Sequence, residues 1–162
     1  MKPKTIEMDY LYGEITGIEE SIKALGLNKD SIVFDIGVGK GTFLCQLLKT
    51  VGCKGIGVEP QSNRIVEARQ LRKKYNLEDD LELINAHYPC KIGSTPTHAI
   101  LHGCAFRSET IDSIYKALPS GIIILHNSPP LRKAYHKVKQ AKEVRIPTNY
   151  VKTGSVFYVF KK

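Results

Sequence analysis

The sequence lacks several features that mark particular classes of protein. It contains no tryptophan, and its four cysteines are widely spaced, without a C-x-x-C pair. Neither these cysteines nor the five histidines have the spacing of metal ligands, so we expect no metal site and reduced, packed thiols. No apolar run approaches the roughly 20 residues that a membrane span needs. Because no apolar signal region follows the N-terminus either, these absences favour an intracellular protein, in the cytoplasm or nucleus, without membrane contact.

Size and composition indicate one globular domain. The chain has 162 residues, of which 42% are hydrophobic and 25% charged. A chain of this length can bury a self-sufficient core. We therefore expect a single domain over 1–162, with an N-terminal arm over 1–13 and a basic C-terminal region over 131–162. Nothing in the sequence indicates the oligomeric state.

Acidic residues are scarce in the second half of the chain. Residues 1–80 contain 12 basic and 12 acidic residues, whereas residues 81–162 contain 12 and 4, so the net charge of +8 comes from the second half. A one-sided basic surface suggests an anionic partner, commonly nucleic acid. The other interpretation is a solvated surface that aids solubility. The residues predicted for nucleic-acid or nucleosome contact are Arg132, Lys133, Lys137, Lys139 and Lys142.

Apolar segments alternate between helix-like and strand-like patterns, which predicts an α/β fold with a mainly parallel sheet and helices on both faces. Helices are predicted at 14–26, 41–51, 61–75, 108–118 and 130–138. Strands are predicted at 31–36, 54–59, 81–85, 97–102, 121–126, 142–147 and 154–160. The last two strands are close in sequence, so we expect a C-terminal hairpin with an antiparallel edge.

A glycine-rich turn follows the first predicted strand. Asp35 ends this strand, and Gly37, Gly39 and Gly41 alternate with other residues before a helix begins. Glycines let the backbone turn sharply and approach a ligand closely, because no Cβ intervenes. Glu59 ends the second strand, 22 residues after Gly37, where a carboxylate can accept hydrogen bonds from ribose hydroxyls. This arrangement predicts a nucleotide-type cofactor.

The acid before the glycines indicates which cofactor. A carboxylate there would repel the pyrophosphate of a dinucleotide, but it suits the cationic amino group of a methionine. The pattern is typical of the Rossmann-like class I methyltransferases, whose cofactor is S-adenosyl-L-methionine and whose seven-stranded sheet ends in an antiparallel hairpin. The alternatives are a nicotinamide cofactor and an ordinary strand-to-helix turn whose glycines only relieve crowding.

Several short motifs narrow the resemblance. They are Tyr12-Gly13-Glu14, the glycine turn with Asp35, Gly57-Val58-Glu59, Ala105-Phe106 and Gly154-Ser155-Val156-Phe157-Tyr158. In this order and spacing they resemble the catalytic domain of the disruptor-of-telomeric-silencing family of lysine methyltransferases. This resemblance implies a SAM-dependent enzyme that methylates lysine side chains of a histone or another basic, nucleic-acid-associated protein.

The resemblance also implies roles for individual residues. Tyr12 and Glu14 would close over the methionine end of the cofactor, and the glycine turn with Thr42 would contact its methionine and ribose parts. His87 and Tyr88 occupy the positions of residues that meet the adenine. Tyr150 and Phe157 would wall a lysine channel, with core packing on the hairpin as the alternative for both. His102 would orient the amine or accept its proton, or else it is a strand-end histidine that bonds to the backbone.

Two other functions stay open at this point. The basic C-terminal region favours an RNA or DNA methyltransferase that binds phosphates through it. Asn127-Ser128-Pro129-Pro130 resembles the Asn-Pro-Pro-aromatic motif of enzymes that methylate exocyclic amines, although a proline turn before a helix also explains it. The remaining alternative is a small-molecule methyltransferase or a cofactor-binding module without activity.

Overall fold

The structure is a computed structural model, and it describes residues 14–102, 108–127 and 141–162. Within these residues seven strands form one sheet, in the order β3-β2-β1-β4-β5-β7-β6. The strands are β1 (Ile32–Ile36), β2 (Lys54–Val58), β3 (Leu81–Ile84), β4 (His98–Leu101), β5 (Ile123–His126), β6 (Lys142–Ile146) and β7 (Ser155–Lys161). The described helices are α1 (Ile18–Leu25), α2 (Thr42–Val51), α3 (Ser62–Lys74) and α4 (Ser108–Ala117).

The pairing of the strands confirms the predicted fold class. Strands β1 to β5 are parallel to one another, whereas β7 is antiparallel to both β5 and β6. The predicted C-terminal hairpin is therefore present, and β6 is the edge strand. The order reverses between β1 and β4, because β1 to β3 extend to one side and β4 and β5 to the other. At such a point the carboxyl ends of two parallel strands leave a crevice that can hold a ligand.

The core lies on both faces of the sheet. Val33, Leu44 and Leu48 belong to the cluster on one face, and Phe34 and Ile56 belong to the cluster on the other. Alternating side chains of β1 thus enter opposite clusters, as strand geometry requires. Both faces of the central strands are buried, which explains why their sequences are nearly continuous apolar runs. No described helix is long and apolar enough to cross a lipid bilayer.

Helix α1 begins later than the sequence predicts. The predicted helix covered 14–26, but α1 begins at Ile18. The amides of Thr16 and Gly17 instead donate hydrogen bonds to the carbonyl of Pro147, at 2.9 and 3.0 Å. A Cβ at Gly17 would lie 2.5 Å from Cδ of Pro147, so only glycine permits this close contact. Long-range pairing with the residues after β6 therefore replaces the first helical turn.

Some predictions lie outside the described residues. These are the N-terminal arm with Tyr12, the Ala105-Phe106 motif, residues 128–130 of the Asn127 motif, and the helix at 130–138. Four of the proposed nucleic-acid contacts, Arg132, Lys133, Lys137 and Lys139, also lie outside them. The fifth, Lys142, begins β6 and is exposed.

Candidate cofactor and active site

A cleft opens at the carboxyl ends of β1 and β4, where the strand order reverses. Its lining includes six residues that the sequence predicted as site residues, namely Glu14, Asp35, Gly37, Gly39, Thr42 and His102. Val38 and Lys40 belong to the same predicted glycine turn, whereas Ile15, Phe43 and Ile100 were not predicted as lining residues. Apolar residues of a turn or helix start give no periodic signal that separates cleft lining from core. The cleft combines an apolar floor with a few polar groups, which is the usual character of a small-molecule site.

The glycine turn between β1 and α2 is shaped by three left-handed residues. Gly37, Gly39 and Gly41 have φ angles of +86°, +58° and +81°. The amides of Gly37 and Val38 both donate to the carbonyl of Val58, at 2.9 and 3.0 Å, which ties the turn to the end of β2. Residues with a Cβ adopt such φ angles at a cost of about 1–2 kcal/mol each. The predicted need for glycine therefore has a direct conformational basis.

The side chain of Glu59 stabilises the glycine turn by a hydrogen bond to its main chain. Its carboxylate is buried, with Oε2 accepting a hydrogen bond from the Gly39 amide at 2.9 Å and Oε1 accepting one from the Gln61 amide at 3.0 Å. One carboxylate thus joins the glycine turn to the start of α3. Glu59 does not line the cleft described above, although each of its oxygens retains a second acceptor position. The sequence indicated an acid for a ligand here, and the structure gives it this additional supporting contact.

Asp35 is the buried acid of the cleft. Its side chain is only 7% exposed. Burial raises the pKa of this carboxyl to about 7, and the nearby negative charge of Glu59 contributes further to the increase. Protonated and ionised forms of Asp35 therefore coexist near neutral pH. A cation in the cleft would favour the ionised form, because an opposite charge at short range lowers the pKa of an acid.

The C-terminal hairpin supports one side of the cleft through contacts with two of its lining residues, Glu14 and Ile15. Ile15 forms an isolated antiparallel bridge with Thr148, which follows β6. The Glu14 amide donates to Oδ1 of Asn149 at 2.8 Å, and the Asn149 amide donates to the Glu14 carbonyl at 3.0 Å. These contacts join segments separated by 135 residues and hold Glu14 and Ile15 against the glycine turn. The sequence predicted Glu14 but contained no signal for the residues that position it.

The three residues predicted for the acceptor side have different locations. His102 follows β4 and lines the cleft. Phe157 is fully buried in β7, and its ring centroid lies 5.2 Å from that of His102. Tyr150 is 54% exposed on the turn between β6 and β7. The structure thus brings His102 and Phe157 together, with Phe157 in the core behind the histidine, and it places Tyr150 at the surface.

The two residues predicted for the adenine follow β3 and do not line the cleft. His87 is exposed. Tyr88 is only 9% exposed and packs edge-on against Phe34, with the ring centroids 4.8 Å apart. Asn85, at the start of the same segment, donates from Nδ2 to the carbonyls of Glu59 and Pro60. This side chain fixes the end of β3 against the turn that carries Glu59.

Comparisons with known proteins identify the fold. No protein-family model matches the chain. A 63-residue stretch is 29% identical to sterol 24-C-methyltransferase of Saccharomyces cerevisiae, and it covers 39% of this chain and 16% of the yeast protein. An RNA methyltransferase from Salinibacter ruber, crystallised with S-adenosyl-L-homocysteine, superposes with a TM-score of 0.67 at 14% identity, over 89% of this chain and 88% of that one. The chain has the class I methyltransferase fold.

Two further structures have this class I methyltransferase fold in common with the chain. The C-terminal domain of precorrin-6Y C5,15-methyltransferase from Rhodobacter capsulatus gives a TM-score of 0.68 at 15% identity, over 95% of this chain and 96% of that one. A tRNA methyltransferase from Aquifex aeolicus gives 0.65 at 17% identity, over 96% of this chain and 74% of that one. Proteins with such different substrates share one scaffold, so the substrate must be argued from the site.

Proposed function

We propose that the protein binds S-adenosyl-L-methionine and is a SAM-dependent methyltransferase. The observation that carries this proposal is Asp35, which is buried in the cleft and whose pKa is raised to about 7 by burial and by the negative charge of Glu59. A positive charge bound in the cleft would stabilise its ionised form. The methionine part of the cofactor carries an ammonium group and a sulfonium centre, which would supply that positive charge. The cofactor supplies an activated methyl group when it is bound.

The residues present fit this cofactor. We assign Asp35 to the methionine amino group, and Glu14, Thr42 and the main chain of the glycine turn to the rest of the methionine and the ribose. Glu59 retains acceptor positions for the ribose hydroxyls while it holds the Gly39 amide. His87 and Tyr88 stay assigned to the adenine by sequence position, although Tyr88 also has a packing role against Phe34.

His102 is proposed to act on the methyl acceptor. It lines the cleft at the end of β4, and Phe157 packs beside its ring. A histidine titrates near neutral pH, so it can accept the proton that an amine loses on methylation. The amine must be neutral and aligned, and alignment of reactants accounts for about 7–11 kcal/mol of the barrier in favourable cases. The buried Phe157 would fix the ring orientation, in place of the channel wall that the sequence predicted.

We propose RNA as the carrier of the methyl acceptor. The described hairpin over 142–162 contains five basic residues and one acid, and the whole chain has a net charge of +8. This charge attracts a polyanion, and the same charge repels a lysine-rich protein. The contacts between the hairpin and Glu14 bring the hairpin to the edge of the cleft.

Protein lysine is the second candidate. The order and spacing of the motifs around Glu14, Asp35 and Glu59 support it, since they resemble a lysine methyltransferase family. A histone or another basic protein would be its substrate. The exposed Tyr150 would then contact the lysine side chain, since aromatic rings stabilise cations by about 0.5–2 kcal/mol.

Cofactor binding can be tested first, by calorimetry with S-adenosyl-L-homocysteine. In the Glu59→Gln variant one carboxylate oxygen becomes an NH₂ group, which cannot accept the hydrogen bond from the main-chain amide of Gly39 or Gln61. We therefore expect the affinity for S-adenosyl-L-homocysteine to fall at least about tenfold. Glu82→Gln is the matched control, because Glu82 also accepts a main-chain hydrogen bond, from Gly93 at 2.9 Å, away from the cleft. No binding by the wild-type protein would refute the proposed function.

The acceptor can be identified with methyl-labelled S-adenosyl-L-methionine and a cell lysate, divided for nuclease or protease digestion. Label that nuclease removes would support the RNA proposal. Label that only protease removes would favour protein lysine, and core histones added separately would test the histone substrate. If the protein binds the cofactor but neither RNA nor protein becomes labelled, both acceptor proposals are contradicted and a small-molecule acceptor is indicated.

A further inference from the structure

The turn between β6 and β7 presents two adjacent apolar side chains to solvent. Among the described residues, the large hydrophobic side chains that are exposed are Val66, Tyr150 and Val151, at 49%, 54% and 41%. Tyr150 and Val151 are neighbours on this turn, whereas Val66 is isolated on α3. A pair of exposed apolar groups at one point indicates a contact surface more strongly than a single one does. We call residues 148–153 the hairpin tip.

The hairpin tip has a defined conformation. The Val151 amide donates to Oγ1 of Thr148 at 3.0 Å, and the Thr148 amide donates to the Val151 carbonyl at 3.1 Å. The Gly154 amide donates to the same carbonyl at 3.1 Å, where β7 begins. These bonds fix the backbone on both sides of Tyr150. A binding group on a preorganised backbone loses less conformational entropy when a partner is bound.

The position of the hairpin tip connects it to the cleft. Asn149, the residue before Tyr150, exchanges two hydrogen bonds with Glu14, which lines the cleft. Thr148 pairs with Ile15, which also lines it. A partner that contacts Tyr150 is therefore held at the rim of the proposed cofactor site.

Exposed cations lie at the hairpin tip and along the edge strand that leads to it. Lys142 and Arg145 are exposed on the edge strand β6, and Lys152 is exposed beside Val151, whereas the acid of this strand is Glu143. The ammonium group of Lys162 is used within the fold, since it donates to the Tyr115 carbonyl at 2.6 Å. Arg145 likewise donates to a carbonyl, that of Gly154 at 3.4 Å, and Lys161 is exposed at the far end of β7. Lys142 on the open edge of the sheet and Lys152 at the tip are therefore the exposed cations that the proposal below uses.

We propose that the hairpin tip is the docking site for an unpaired nucleotide of RNA. Tyr150 stacks on the base, Val151 extends the apolar surface beside it, Lys152 holds the neighbouring phosphate, and Lys142 holds a phosphate further along the edge strand. This proposal rests on the RNA acceptor proposed above. An aromatic ring with flanking cations is the usual combination for single-stranded nucleic acid, because every base has a stacking face and every linkage carries a charge. In a duplex the base would be stacked internally and inaccessible to Tyr150.

The test measures the binding of a fluorescein-labelled oligouridine of about 12 nucleotides by anisotropy, across about 50–200 mM salt. We expect Tyr150→Ala to weaken binding about 5- to 150-fold, the range for loss of one base stack, and Tyr150→Phe to retain it. The Lys142→Gln/Lys152→Gln variant is expected to reduce the slope of log affinity against log salt by about 1.4, because each phosphate contact contributes about 0.7 for a single strand. Lys29→Gln/Lys49→Gln is the control and should change neither, because these exposed lysines lie before β1 and in the last turn of α2, near the amino ends of the parallel strands.

Calorimetry with S-adenosyl-L-homocysteine on the same preparations separates this proposal from the proposed function. If the cofactor product binds but RNA affinity does not depend on Tyr150 and the two lysines, the docking proposal is wrong and the methyltransferase proposal stands. If the control lysines have the same effect as Lys142 and Lys152, the binding is diffuse and the docking proposal is also wrong. If these substitutions weaken the binding of polyglutamate but not of oligouridine, the partner is an acidic protein and the docking proposal is wrong.

Discussion

Asn149 and Glu14 hold each other by two hydrogen bonds across 135 residues of sequence. The Asn149 side-chain oxygen accepts from the Glu14 amide at 2.8 Å, and the Asn149 amide donates to the Glu14 carbonyl at 3.0 Å. One end of this pair lies on the cleft and the other lies beside the exposed Tyr150. The pair therefore connects the cofactor side of the proposed site to its substrate side.

Replacement of Asn149 by alanine removes one of these bonds and should loosen the segment that carries Glu14. A single hydrogen bond contributes about 0.5–1.5 kcal/mol, so we expect the affinity for S-adenosyl-L-homocysteine to fall about 2- to 12-fold. Hydrogen exchange at residues 14–17 should become faster. Asn28→Ala is the matched control, because Asn28 Oδ1 accepts a hydrogen bond from the Asp30 amide at 2.8 Å in a turn before β1. Equal effects of the two variants on affinity would contradict a positioning role for Asn149.

The stability of the ligand-free protein should depend on the ionisation of Asp35. Burial raises the pKa of this group from 3.8 to about 7, so between these values the folded state binds more protons than the unfolded state. The free energy of unfolding should therefore decrease by an amount on the order of 4 kcal/mol as the pH rises from about 4 to about 7. Above about pH 7, Asp35 should cause no further decrease. Urea unfolding of the wild type and of Asp35→Asn at several pH values measures this, and the difference between the two isolates Asp35. A difference that is independent of pH would show that Asp35 ionises normally.

The substitution Gly41→Ala should destabilise the protein more than the same change at Gly52. Both glycines have positive φ angles, of +81° and +75°, and an alanine there costs about 1–2 kcal/mol. At Gly41 the new Cβ would also lie 3.2 Å from Cβ of Ala68 in α3, whereas at Gly52 it would meet nothing within 4 Å. We expect the crowding to add about 1–3 kcal/mol at Gly41, measured by chemical unfolding. Equal losses of stability for the two variants would mean that α3 shifts to accommodate the new Cβ at no energetic cost.

Phe157 should behave as a core residue. Its side chain is fully buried, so Phe157→Ala is expected to cost about 3–5 kcal/mol of stability. Tyr150→Ala, at an exposed position of the same hairpin, should change stability by less than about 0.5 kcal/mol. Phe157→Leu keeps most of the volume and allows cofactor binding to be measured in a folded protein. A small loss of stability for Phe157→Ala would instead support the predicted role of Phe157 as an accessible channel wall.

The sequence predicted those features of the fold that depend on short stretches of the chain. Asp35 and the alternating glycines occupy a strand end and a tight turn, and the structure has a cleft there, where their spacing predicted a crevice. The roles of these residues and of Glu59 in cofactor binding stay predictions. The parallel sheet and the terminal hairpin followed from the alternation of apolar segments and from the short connection between the last two strands. The role of Glu59 in supporting the Gly39 amide was not predicted, because it depends on the distance between two neighbouring strand ends.

Contacts between distant segments were decided only in three dimensions. The sequence placed residues 14–17 in a helix, since Ile15, Ile18 and Ile22 have helical spacing, but pairing with Pro147 and Thr148 satisfies their backbone groups instead. The sequence assigned Phe157 and Tyr150, two aromatic residues of one hairpin, the same role in a lysine channel. The structure distinguishes them, because Phe157 is buried in the core and Tyr150 is exposed at the hairpin tip. By itself the sequence determined the order of strands and helices and the chemistry of the glycine turn, because short-range sterics and hydrophobic periodicity control these. The tertiary structure decided which side chains meet at the cleft and which reach solvent, because these depend on the packing of residues more than one hundred positions apart.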